Sequence, residues 1–259
     1  MCTMNNNGFM RGVPAVTRNL LIINIGLWIL GAVMPAFNEG TILPRLGLHY
    51  WGSDAFNPLQ FITYMFLQAP AGQGGIAHIF FNMWALYMFG RILEATWGSR
   101  RYLLFYFVCG VGAALVQEIV WTFSWQHDYI SAIAGANHLT YREMEAEVTE
   151  MLADNNSMIL SAIAQFKYAL MTIGASGAIF GLLLGFACVF PNVPMYIMFI
   201  PVPVKAKWLV AGYAVIELFF GVSGTLNSVA HFAHLGGMIF GAVLIYYWHK
   251  QGTLNGKRY

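Results

Sequence analysis

Ala230-His-Phe-Ala-His-Leu-Gly-Gly-Met-Ile-Phe-Gly241 opens an apolar run that continues to about residue 249. It is long enough to cross a bilayer, yet it holds histidines where a bilayer should hold none. About 20 helical residues rising 1.5 Å each cover a hydrocarbon core ~30 Å thick. Runs of similar character lie at about 19–37, 78–96, 102–123, 169–190 and 207–222, beside the one at about 229–249. Composition points the same way: 58% of the 259 residues are apolar and 9% are charged, against about 45–50% and about 25% in an ordinary soluble domain. The expected fold is an all-α membrane protein, a bundle of six transmembrane helices forming one membrane-embedded domain over residues 1–259.

The first run follows Arg11 and Arg18, is too long for a signal peptide and lacks a cleavage-type ending, so it reads as a retained span. Six spans return both termini to one side. With the N-terminus inside, ten basic residues fall on the inner face (Arg11, Arg18, Arg91, Arg100, Arg101, Lys205, Lys207, Lys250, Lys257, Arg258) and three on the outer (Arg45, Arg142, Lys167). Lys and Arg near span ends are retained in the cytoplasm, so the expected topology is N-in and C-in. The net charge of +2 and the lack of a basic block argue against a nucleic-acid partner. Cys2, Cys109 and Cys188 show neither a disulfide framework nor metal-type spacing.

Two connections are longer than a turn requires. Residues 38–77 carry Trp51, Phe56, Phe61, Tyr64, Met65 and Phe66 among Pro and Gly, a segment too broken to span and apolar enough to lie in the outer leaflet. Residues 124–166 form an outward-facing insertion between the third and fourth spans, in which Tyr141-Arg-Glu-Met-Glu-Ala-Glu-Val148 has the pattern of an exposed amphipathic helix.

A polar side chain within a span is costly and marks function by default. His78 and Asn82, four residues apart, share one face of the second span. Ser176 lies in Gly174-Ala-Ser-Gly177, about seven residues into the fourth span, and His234 about five into the sixth, so both should sit ~8–10 Å below the outer surface. Gly177, Gly181 and Gly185 repeat every four residues, as do Gly237 and Gly241, and small residues so spaced let helices approach closely. Seven residues turn a helix by about 700°, so His234 shares a face with Gly241 and points toward the fourth span. A serine and an imidazole brought together there form a nucleophile and its base. His78 and Asn82, with backbone N–H groups near Ser176, are candidate oxyanion donors. Glu118 and Glu217 read first as hydrogen-bonded structural groups, with either able to supply an acid to the pair. His231 reads as a packing or loop contact, because its span lacks the His-Glu-x-x-His pattern of membrane zinc proteases.

These residues resemble the rhomboid family of intramembrane serine proteases. The resemblance runs from about 55 to 249 and rests on His78-Ile-Phe-Phe-Asn82, Glu94-Ala-Thr-Trp-Gly98, Gly174-Ala-Ser-Gly177 and Ala233-His-Leu-Gly-Gly-Met-Ile-Phe-Gly241, in that order. It implies Ser176 as nucleophile, His234 as base and acid, and His78 with Asn82 on the oxyanion. It also implies a short fourth helix beneath a water-filled cavity and a transmembrane protein as substrate, cut near its outer end. No cofactor or metal is expected, and the expected location is a bacterial inner membrane, with the lipid bilayer as surroundings. The Trp-Arg pair of many members is replaced here by Gln60-Phe61. The alternative is a rhomboid-like protein that captures transmembrane clients without cutting them; such relatives commonly lack the serine or the histidine, and this chain has both.

Overall fold

The computed structural model describes residues 12–34, 37, 42–197, 200–223 and 230–253. The long helices are α1 (Ala15–Val33), α2 (Ile76–Trp97), α3 (Ser99–Asn137), α4 (Tyr141–Ala153), α5 (Ser157–Ala169), α6 (Ser176–Val189), α7 (Ala206–Ser223) and α8 (His231–Lys250). Two small antiparallel sheets pair β1 (Leu48–His49) with β2 (Met171–Thr172) and β3 (Pro194–Ile197) with β4 (Ile200–Lys205). Among the described residues, α1, α2, α3 and α7 are long and apolar enough to cross a membrane, and α6 is a shorter apolar helix. The 20 residues of α8 are diluted by its histidines and glycines. Ile22 and Ile29 of α1, Phe80 of α2, Val215 and Val222 of α7 and Val243 of α8 stand between 51% and 74% exposed. An apolar belt of this extent is a liability in water and is satisfied by lipid.

At the junction of the first three helices, the polar chemistry is concentrated in one buried carboxylate. Glu94, near the end of α2, accepts from the N–H groups of Val16 (3.0 Å) and Thr17 (2.7 Å), from the Thr17 hydroxyl (2.8 Å) and from the Ser99 hydroxyl (2.7 Å). It caps the first turn of α1, where backbone donors have no helical acceptor and the helix dipole favours negative charge. Gly98 then takes φ 79° between α2 and α3, a left-handed conformation that costs glycine nothing.

The connection between α1 and α2 is organised by Gln60, which is 1% exposed. Its Oε1 accepts from the N–H groups of His49 (3.2 Å) and Asn57 (3.1 Å), and its Nε2 donates to the carbonyls of Arg45 (3.1 Å) and Ala55 (3.0 Å). One side chain thereby satisfies four backbone groups of an irregular segment. Tyr64 and Met65 are buried in the core, whereas Trp51 stays 40% exposed.

Two expected boundaries move. Helix α3 does not stop at about 123; its 39 residues run on to Asn137, after which His138 adopts φ 57°. The apolar run ends near 123 while the helix goes on with a half-covered face, so hydropathy alone misses the extension. Tyr129, Ile130 and Ala134 of α3 pack with Met144 and Val148 of α4 and Ile159 of α5 in a second core. A reciprocal cap, Thr140 with Glu143, starts α4, and the Thr140 N–H and hydroxyl hold the Glu143 carboxyl below its usual range. Helix α6 starts at Ser176 rather than at about 169, because residues before it are extended: β2 pairs with β1 in the register Leu48↔Thr172 and His49↔Met171.

Glu94→Ala is expected to lower stability by about 2–4 kcal/mol, since it removes a charged cap and strands several donors at once. Thermal unfolding in detergent, with hydrogen exchange at the start of α1, measures the loss.

Candidate active site

Ser176 is the first residue of α6 and follows a sharp turn at Gly174, whose φ is 128°. The Gly174 N–H donates to the Tyr64 carbonyl at 3.0 Å, which anchors the turn to the connection between α1 and α2. The serine thus sits at a helix start, not seven residues into a span, and the first-turn N–H groups beside it have no helical acceptors.

His234 comes to it from α8. A Cβ on Gly237 would collide with the Gly177 carbonyl, and one on Gly181 would meet Cys109 and stand 3.0 Å from the Gly237 carbonyl. Helices α6 and α8 therefore touch backbone to backbone, with Gly241 one turn deeper against Phe105 and Cys109. At that separation His234 Nε2 lies 2.8 Å from Ser176 Oγ. The imidazole is 7% exposed and stacks on the Phe180 ring, centroids 4.2 Å apart and planes within 7°.

On the far side of that ring stands Glu217 of α7. Its Oε2 accepts from His231 Nδ1 at 2.7 Å and lies 3.0 Å from His234 Nδ1, off the line that a good hydrogen bond requires. Glu217, His231 and His234 are all at most 9% exposed. Their ligand atoms fall within 4.8 Å of one another, close enough to hold a metal ion. The two shortest separations, 2.7 and 3.0 Å, are tighter than the roughly 3.3 Å between ligands of a tetrahedral zinc ion, however, and the first is a hydrogen bond.

His78 reaches the same place from α2. Its Nδ1 accepts from the Ala69 N–H at 3.3 Å, so a neutral ring carries its proton on Nε2. That nitrogen is 3.2 Å from the point where a Cβ on Gly174 would stand, a point itself 3.6 Å from Ser176 Oγ. Asn82 turns elsewhere. Its Nδ2 donates to Gln68 Oε1 (2.9 Å), Gln68 Nε2 donates to Asn24 Oδ1 (2.8 Å), and Asn24 Nδ2 donates to the Leu20 carbonyl (2.9 Å). The structure thus brings together Ser176, His234 and His78, and places the Asn82 amide on a buried relay that reaches α1.

Sequence reasoning missed Asn24 and Gln68, although an amide inside the apolar run Leu20–Trp28 is a visible signal. It left open whether Glu118 or Glu217 supplies an acid to the pair; Glu217 is the one beside His234.

A model of the Rhomboid domain matches residues 55–141 and 142–251. The chain belongs to the rhomboid family. No curated protein matches this rhomboid. The matched residues contain Ser176, His234, His78, Asn82 and Glu217, and they run through the long α3 and the pair α4–α5.

Gly237→Ala in this rhomboid is expected to overpack the α6–α8 contact and cost about 1–3 kcal/mol, read as a lower melting temperature. Gly212→Ala, whose added Cβ meets nothing within 4 Å, should leave the melting temperature unchanged or raise it slightly.

Proposed function

We propose that this rhomboid is an intramembrane serine endopeptidase that hydrolyses a peptide bond in or beside the transmembrane helix of a membrane protein. The observation that carries the proposal is the 2.8 Å separation of Ser176 Oγ and His234 Nε2 across two helices. In this reading the chain crosses the bilayer six times with both termini inside, in line with ten basic residues assigned to the inner face against three outside. Its setting is a plasma membrane of bacterial type.

Ser176 Oγ attacks the scissile carbonyl while His234 Nε2 takes the hydroxyl proton. The proton then goes to the leaving amine, and the C–N bond breaks to leave an acyl-enzyme. Water, deprotonated by the same nitrogen, releases the acid product and restores Ser176. His78 Nε2–H and the first-turn N–H groups of α6 are the donors for the oxyanion. Asn82 has a second amide proton beyond the one given to Gln68, and supplies it as a further donor when substrate is present. A helical substrate has its carbonyls engaged, so helix-breaking or small residues are expected near the cut.

Ser176→Ala and His234→Ala are each expected to abolish cleavage of a model transmembrane substrate in detergent or bilayer discs. A serine-directed fluorophosphonate should label the parent protein and not Ser176→Ala. Undiminished cleavage by either variant would sink the proposal, and failure of the parent to cut or label would favour a binder of transmembrane clients. Asn82→Ala should lower turnover by ~10²-fold or less, the lower range for one lost oxyanion donor.

A further inference from the structure

A carboxylate in a bilayer-embedded helix is expensive unless it is partnered, and Glu217 divides one oxygen between two imidazoles. We propose that Glu217 is a positioning residue that orients His234 through Nδ1 and stabilises the imidazolium formed in each proton transfer, with His231 holding the carboxylate in place between turnovers. This rests on the serine-protease reading of the site.

The tautomer fixes the direction of the interaction. For His234 Nε2 to accept the Ser176 proton, the neutral ring must carry its hydrogen on Nδ1. That atom is buried with no hydrogen bond of its own, and Glu217 Oε2 is 3.0 Å away. Stacking on Phe180 sets the plane of the ring but leaves rotation within that plane free, and a carboxylate at one edge removes this freedom. While His234 is neutral, the better-aligned bond to Glu217 is the one from His231, at 2.7 Å. Once Nε2 is protonated, the nearest anion to the new cation is the same oxygen, and a small rotation brings the second bond into line. No atom is transferred to Glu217; it remains ionised throughout.

Other groups around His234 do not take this role. His78 of α2 is close enough to interact electrostatically and has the same sign when charged. Helix α6 contributes the uncharged Ser176 and Phe180. Tyr213 of α7 lies behind Phe180, ring centroids 6.5 Å apart. Glu118, a carboxylate of α3, is held by the Trp51 N–H at 2.7 Å.

The test uses the full chain in bilayer discs with a fluorogenic transmembrane substrate. Glu217→Gln is expected to lower kcat by about 10- to 100-fold with KM nearly unchanged, the range for a hydrogen bond to a charged group. The acid limb of kcat/KM should move about one pH unit or more toward lower pH, because the protonated ring loses its counter-charge. Glu217→Asp should return the limb toward that of the parent. The position of the limb does not depend on how much of a preparation is folded. Should the variants not fold, ¹⁵N-histidine spectra of the parent at a pH that protonates His234 give the second measurement: a strongly downfield Nδ1 proton, lost in His234→Ala, supports the assignment, and its absence from the protonated ring overturns it. An unmoved limb in Glu217→Gln also overturns it, as does activity abolished by a chelator and restored by Zn²⁺, which would make the cluster a metal site. Cleavage that survives Ser176→Ala would instead remove the serine-protease reading itself.

Discussion

Everything at the site depends on how closely α6 and α8 approach. The two helices meet where Gly237 faces the Gly177 carbonyl and Gly181 stands near the Gly237 carbonyl, while Ala113 and Cys109 of α3 pack against the same α6 glycines. In lipid there is no hydrophobic drive to press helices together, so close van der Waals packing of small residues must do it. The 2.8 Å contact between Ser176 and His234 is a consequence of that separation. Short distances of this kind are fixed by rigid elements rather than by the side chains that display them, and a methyl group placed between the helices would be felt first at the serine.

A second constraint is that each polar group removed from water needs a partner, since its unpaired burial costs kilocalories. Here the partners also tie distant segments together. Glu94 joins α1, α2 and the start of α3. Gln60 gathers four backbone groups of the connection between α1 and α2. The relay from Asn82 through Gln68 to Asn24 links α2 to α1 beside the site. The same economy of partners that secures the fold places Glu217 3.0 Å from His234 Nδ1.

Part of this was legible in the amino-acid sequence, and particular residues show why. Ser176 and His234 stand out because a hydroxyl and an imidazole in glycine-spaced apolar runs have few structural uses, and helical geometry places His234 on the face of Gly241. The start of α6 was not legible: residues 169–175 are as apolar as a span, and nothing in hydropathy says that Met171 and Thr172 pair with Leu48 and His49 instead of continuing a helix. The extension of α3 was hidden for the opposite reason, as its last turns are too polar to read as a span and are held by a small core made with α4 and α5. Asn82 matched the expected motif, but the orientation of an amide depends on Gln68, which no local pattern connects to it.

The insertion also bears on the position of Ser176. At 1.5 Å per residue, the 39 residues of α3 extend roughly 58 Å, about twice a hydrocarbon core. Helices α4 and α5 fold back along its far end, where Lys167 lies over the Trp125 ring at 4.3 Å. From the end of α5 the chain has six residues, 170–175, in which to reach Ser176, and they are not slack: β2 pairs with β1, His49 Nδ1 lies 2.9 Å from the Tyr168 carbonyl, and Gly174 is tied to Tyr64. Helices α4 and α5 are therefore joined to the serine by a short, hydrogen-bonded segment. Loosening α5 would be transmitted to the first turn of α6, where Ser176 and its neighbouring N–H groups sit.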